Sequence, residues 1–255
     1  MSLFSVPARA RLRRRFDKAS GTYDGAAHLQ ERVAERLVSL AGAQLESRQS
    51  LLEVGSGSGQ IHRALARHRL LPRLCLFSDI SYGMLARGRK WAREARDNQQ
   101  GTDAHGYCVC DGACLPLREQ FDVVVASMSL HWFDDPSVAL QSFMGAMVTG
   151  GVLLLAFPGV GSLESLHRLC GRETFTFPHS ASIRAQLLAA GLRVDQHDDT
   201  FEETYETMQA FLQTMRSWGV MTPHQPLGWT ARRNMLESRH KPIKIGWRIH
   251  YMVAT

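Results

Sequence analysis

The run Leu51-Leu-Glu53-Val-Gly55-Ser-Gly57-Ser-Gly59 constrains this chain more than any other segment. Residues 51–54, apolar but for Glu53, suit a short strand buried on both faces. The alternating glycines permit a tight turn at positive φ, which carries the strand into a helix over residues 60–68. A strand-turn-helix of this kind opens a parallel sheet, whose ligands gather at the carboxyl ends of the strands. Glycines there also let a ligand reach main-chain amides with no Cβ in the way.

The rest of the chain continues the alternation. Residues 74–77 and 107–109 read as strands, with a helix over 82–96 between them. Phe121-Asp-Val-Val-Val-Ala126 is β-branched and apolar, and a helix over 137–147 follows. Gly150-Gly151 stops that helix ahead of a strand over 152–157. Near the amino terminus, Leu29, Val33, Leu37 and Leu40 recur at helical spacing with Glu31, Arg32, Glu35 and Arg36 opposite, so this helix packs on the edge of the sheet. Beyond Pro158, helices over 163–170, 183–190 and 205–218 and strands over 192–197 and 247–253 supply a cap and closing strands. The pattern predicts a single α/β domain: a Rossmann-like, mostly parallel seven-stranded sheet with helices on both faces. Its parts are a helical lid over 1–45, a cofactor-binding core over 46–157, and cap helices with closing strands over 158–255.

Composition narrows the surroundings. Thirty Lys and Arg against 24 Asp and Glu give a formal charge of +6, which biases the surface toward acidic partners. No apolar run approaches the roughly 20 residues that span a bilayer, so a soluble protein with no membrane partner is expected; a cytoplasmic location and a monomer are separate expectations. The first 16 residues hold Arg9, Arg11, Arg13, Arg14 and Arg15 and no acid. This composition serves a docking surface for an acidic partner, a solvated basic tail, or a mitochondrial transit peptide; a secretory apolar core is missing. The five cysteines suit a reducing compartment. Cys108, Cys110 and Cys114 form C-x-C-x3-C, which matches no common zinc spacing, so no metal is expected.

The cofactor follows from spacing. Gln60 stands where a pyrophosphate-binding G-x-G-x-x-G needs its third glycine, which disfavours a dinucleotide. Asp79 ends the second strand, where its carboxylate can accept both ribose hydroxyl protons, a demand shared by dinucleotide and adenosyl cofactors. Asp111 ends the third strand and can accept from an adenine amino group. Here the chain resembles the class I S-adenosylmethionine-dependent methyltransferases. Residues 51–59 are similar to their first motif, Ser78-Asp-Ile-Ser81 with Met84-Leu85 to the second, and Asp111-Gly-Ala-Cys-Leu-Pro-Leu117 to the third. The resemblance implies S-adenosyl-L-methionine as cofactor. It implies that Glu53, Gly55, Gly57 and Gly59 lie at the methionine end, Asp79 and Ile80 at the ribose, and Asp111 and Gly112 at the adenine. Ser127 and Met128 would line the cofactor and open toward the substrate.

Flanking segments resemble the malonyl-[acyl-carrier protein] O-methyltransferases of biotin synthesis. They are Phe16-Asp-Lys-Ala-Ser-Gly-Thr-Tyr23-Asp24 with Ala27 and Gln30, Ser129-Leu-His131-Trp132, Gly161-Ser-Leu-Glu-Ser-Leu-His167, Phe177-Pro-His179, and Leu212-Gln-Thr-Met-Arg216-Ser-Trp-Gly219-Val220. The resemblance implies methyl transfer to the free carboxylate of a malonyl thioester, carried by an acidic acyl-carrier protein or by coenzyme A. The chain departs from that family at Arg216, where lysine is usual, at Trp247, near a usual tyrosine, and in a short basic segment over 237–245. A carboxylate in a dry pocket needs a cationic or hydrogen-bonding partner, and Tyr23, His131 and Arg216 are the candidates. Phe16, Ala19, Ser20 and Tyr23 share one helical face, as a lid over the cofactor would. Two other readings stay open. One is methylation of another small acid or a quinone-type hydroxyl, with His131 as base. The other is a role as an assembly factor acting on a partner protein, since the His-Trp pair also occurs in methyltransferase-like proteins that assemble respiratory complex I. Neither an Asn/Asp-Pro-Pro-aromatic turn nor a catalytic Pro-Cys is present, so no nucleic-acid partner is expected.

Overall fold

The computed structural model describes residues 6–97, 104–171, 173, 175–220 and 229–255. The strands are β1 (Ser50–Val54), β2 (Leu74–Asp79), β3 (Ala104–Val109), β4 (Phe121–Ser127), β5 (Met147–Pro158), β6 (Val194–Tyr205) and β7 (Ile243–Ala254). The helices are α1 (Val6–Ala19), α2 (His28–Leu40), α3 (Gly42–Leu45), α4 (Gln60–His68), α5 (Tyr82–Asp97), α6 (Pro136–Ala146), α7 (Glu164–Cys170), α8 (Ser180–Ala189), α9 (Met208–Ser217) and α10 (Trp229–Glu237). The strands form one seven-stranded sheet in the order β3-β2-β1-β4-β5-β7-β6. β7 runs antiparallel to both of its neighbours. The order reverses between β1 and β4, which opens a crevice at their carboxyl ends.

Near-continuous apolar strands are explained by two cores. Leu51, Val123, Val125 and Leu154 point to one face and pack against Leu29, Val33 and Leu37 of α2 and Leu65 of α4. Their alternate neighbours Leu52, Val124, Leu153 and Leu155 point to the other face, against Leu140 and Phe143 of α6 and Leu187 of α8. α2 therefore lies on the face of the sheet rather than at its edge, because its apolar stripe widens through Ala34 and Val38 until it covers β4 and β5.

Several elements depart from expectation. β5 begins at Met147, so the Gly150-Gly151 pair sits inside the strand, where the β4–β5 register shifts, instead of ending a helix. Gly150 has φ +74°, and a side chain at Gly151 would collide with Met147 and with main-chain oxygens, so the irregularity needs glycine. β6 runs on to Tyr205, and the helix expected from there starts only at Met208, capped by Thr207 Oγ1 accepting from Ala210 N at 3.0 Å. β7 starts at Ile243 and takes up the end of the basic segment, since cross-strand pairing with β6 continues from Val194↔Ala254 to Tyr205↔Ile243. β5 pairs with β7 only through Ile249–Ala254. The outer half of the β6–β7 pair, whose connection carries α9 and α10, thus extends past β5, and Phe201, Ile243, Ile245 and Trp247 join Met208, Phe211 and Trp218 in the extended core of the cap. α10 has no counterpart among the expected elements. α1 stops at Ala19, before Gly21, so Ser20 and Tyr23 lie in the following turn rather than on one helical face with Phe16. Tyr23 N donates to Ala19 O at 3.0 Å.

No helix among the described residues is long and apolar enough to cross a membrane, and none of their side chains form a three-ligand metal cluster. None of the five cysteines is in a disulfide.

Candidate active site

The crevice holds a cleft of about 960 Å³, counted to its open mouth. Its floor is the glycine turn after β1. Gly55 N and Ser56 N donate to Ser78 O at 2.8 and 2.9 Å, pulling the turn against β2. Gly55 has φ +72°, and a Cβ there would come within 2.5 Å of Ser129 Cβ, so only glycine fits. Gly57 N donates to Asp79 Oδ2 and Ser81 N to Asp79 Oδ1, both at 2.8 Å. Burial pushes the Asp79 carboxyl up to about 6, against the pull of these amides and with a further push from Asp17. Glu53 is buried beside it, and desolvation together with the Asp79 charge holds its carboxyl well above the usual range. Glu53 Oε2 is buried with no hydrogen-bond partner among the described residues. A buried acceptor of this kind calls for a ligand donor.

Asp111 caps a 3₁₀ turn over Gly112–Cys114, accepting from Ala113 N at 3.0 Å. A Cβ on Gly112 would overlap Val54 Cγ1 and meet Phe133 Cζ at 2.9 Å. β4 ends in Ser127, and Met128 follows at φ +54°, with its N donating to Ala156 O at 2.7 Å. A non-glycine residue in this conformation is strained and marks a site the surroundings over-determine.

Ten of the thirteen expected site residues line the cleft: Tyr23, Glu53, Gly55, Gly57, Asp79, Ile80, Asp111, Gly112, Ser127 and Met128. Gly59 does not. It is the N-cap of α4 at φ +92°, a left-handed conformation that favours glycine, and a Cβ there would make only ordinary contact with Gly88 Cα. His131 lies behind Trp132, which does line the cleft, with ring centroids 4.8 Å apart; on its other side is Phe177 at 6.0 Å. Burial pushes His131 down to about 3, and its Nδ1 is buried without a partner among the described residues. Arg216 is exposed on α9 and is absent from the cleft wall. The cap nevertheless holds the lid: Trp218 Nε1 donates to Ala26 O at 2.5 Å, and Gly219 packs against Phe16 and Ala19.

Residues outside the expected set complete the wall, notably Arg9 and Leu12, which join Phe16 on α1, together with Gln30 and Ser129. Arg9 forms an ion pair with Asp111 and stands 3.8 Å from Asp134. The signal that could have found it is the spacing of Arg9, Leu12 and Phe16, which puts all three on one helical face.

The family model described as a methyltransferase domain matches residues 26–197. This chain belongs to that methyltransferase family. The malonyl-[acyl-carrier protein] O-methyltransferase of Geobacter sulfurreducens is 30% identical over 89% of this chain and 88% of its own length. The protein of the same name from Magnetococcus marinus is 29% identical over 83% of this chain and 77% of its own length. The biotin biosynthesis bifunctional protein of Bordetella avium is 31% identical over 88% of this chain but only 47% of its own length. The fold matches YcgJ of Bacillus subtilis with a TM-score of 0.62 at 15% identity, covering 86% of this chain and 97% of that one. It also matches the magnesium protoporphyrin IX methyltransferase of Synechocystis, solved with S-adenosylhomocysteine, with a TM-score of 0.54 at 16% identity, covering 87% and 82%. The methyltransferase uses S-adenosylmethionine, and the cleft fits that cofactor. Glu53 Oε2 is an unmet acceptor for an ammonium group, and the Asp79 carboxyl faces the same cleft.

Proposed function

We propose that this methyltransferase esterifies the free carboxylate of a malonyl thioester borne by an acyl-carrier protein, in the synthesis of biotin. One observation supports the reading beyond its relatives' names: the Tyr23 phenol on the cleft wall and the His131 imidazole packed behind Trp132 are held neutral and are poor bases. Burial raises the Tyr23 phenol far above its ordinary value, with Asp79 and Asp24 adding to the effect. His131, pushed down to about 3, is a feeble base at neutral pH. A hydroxyl acceptor must give up a proton to something of matched basicity, whereas a malonyl carboxylate arrives ionised.

In this reading Glu53 accepts from the cofactor's ammonium, Asp79 with Ile80 holds the ribose, and Asp111 with Gly112 borders the adenine. Gly55 and Gly57 keep the turn open, while Ser127 and Met128 lead from cofactor to acceptor. When bound, S-adenosylmethionine supplies an electrophilic methyl group, which an anionic oxygen takes with no proton to move. Opposite charges merge in that transition state, so water exclusion by Leu12, Phe16 and Trp132 favours it. Tyr23 on the cleft wall offers a neutral donor, which orients a carboxylate without quenching it, while His131 backs Trp132 from behind. Arg216 would reach the acceptor only if the cap closed further.

The test is product mass after incubation with S-adenosylmethionine and malonyl-carrier protein, malonyl-coenzyme A or a quinol. A gain of one methyl on the malonyl substrates, removable by an esterase, is expected. Cofactor binding without methylation of any malonyl thioester, or faster methylation of the quinol, would overturn the proposal.

A further inference from the structure

α1 is two-sided. At about 100° per residue, Arg9, Leu12, Phe16 and Ala19 share its inner face, and Arg11, Arg14 and Lys18 form a stripe roughly half a turn away. The inner stripe closes the cleft and meets the cap. Arg11, Arg14 and Lys18 are all exposed. The one acid of α1, Asp17, is turned aside and engaged, with its Oδ1 accepting from Ser81 Oγ at 2.6 Å and Gly83 N at 3.0 Å. Among the described residues the three cations of the stripe have no ion-pair partner. Like charges at such spacing repel on a helix, and nothing described within the chain offsets them. The result is a basic stripe on the back of the helix that covers the cofactor cleft.

We infer that Arg11, Arg14 and Lys18 form the docking surface for an acidic face of the carrier protein that delivers the acyl thioester. The inference rests on the thioester reading above and adds where the partner sits. Charge complementarity commits the surface to an acidic partner face. Because the stripe backs the lid, docking presses Leu12 and Phe16 toward the cleft, so delivery of the acceptor and exclusion of water occur together. Arg9 belongs to the inner face and takes no part in docking.

The experiment compares the wild type with an R11E/R14E/K18E variant, using malonyl-carrier protein and, as a small substrate, malonyl-pantetheine. Expected is a rise of about tenfold or more in KM for the carrier substrate, with its salt dependence flattened. The kcat, the KM for S-adenosylmethionine and turnover of malonyl-pantetheine stay unchanged, and an R11K/R14K/K18R variant behaves as wild type. An unchanged KM for the carrier substrate, or an equal loss on malonyl-pantetheine, would overturn the inference. Should no malonyl substrate be methylated by the wild type, the functional proposal fails separately. Fluorescence anisotropy with labelled carrier protein then decides docking: weaker binding by the charge-reversed variant supports it, and equal binding, or preferential binding of both proteins to anionic vesicles or RNA, refutes it.

Discussion

Replacing Asp79 by Asn tests whether the cleft is held in a state that costs the free protein stability. Asp79 titrates at about 6 in the fold against an ordinary 3.8, a displacement worth about 3 kcal/mol. Its pKa is raised on folding, so between those values the folded chain holds the extra proton and stability falls as pH rises, levelling above about 6. Asparagine removes this dependence. It has one acceptor oxygen where the carboxylate has two, so either Gly57 N or Ser81 N loses its partner, at about 1–3 kcal/mol. That second effect does not vary with pH. The two roughly cancel at neutral pH, and the informative quantity is the difference in unfolding free energy between variant and wild type as a function of pH. Urea titrations should show it growing in the variant's favour by roughly 2–3 kcal/mol from about pH 4 to about pH 7.5. Glu53, whose carboxyl is raised partly by the Asp79 charge, shifts in the same direction. Calorimetry should show the variant losing cofactor affinity at neutral pH. A difference that stays flat with pH, or moves the other way, would refute the account of a desolvated carboxylate kept for binding.

The remaining expectations concern the same cleft. Cofactor affinity of the wild type should weaken up to tenfold per pH unit below about 6, as Asp79 gains its proton, measured by calorimetry in one salt background. Gly55→Ala meets both a positive φ and the Ser129 Cβ at 2.5 Å, so it should lose about 3 kcal/mol in urea titration, and wild-type stability would show that the turn relaxes freely. With a carboxylate acceptor and neutral Tyr23 and His131, kcat should be flat from about pH 6.5 to about pH 9; a rise with slope one over that range would reveal a general base. Methylation by a Tyr23→Phe, Arg216→Ala double mutant should drop at least tenfold, and an unchanged rate would remove both residues from acceptor binding.

Local sequence determined the cofactor half of this protein, and tertiary structure decided the acceptor half. Buried parallel strands must be apolar on both faces, and a turn at φ +72° tolerates little but glycine. Residues 51–59, Asp79 and Asp111 therefore announce β1, β2, β3 and their cleft from neighbours a few positions away. Strand ends were less legible, because Ser50, Ala104 and the outer halves of β6 and β7 are set by pairing with distant chain. The acceptor side depends on contacts across the whole sequence. Trp218 meets Ala26 over 192 positions and Arg9 meets Asp111 over 102. Those contacts turn one arginine of a basic run inward and leave Arg11 and Arg14 outside, place Tyr23 at the cleft, seat His131 behind Trp132 and leave Arg216 on the surface of the cap. Helical spacing names the residues that share a face of α1, but only packing against α5 and the cap selects which face looks at the cofactor.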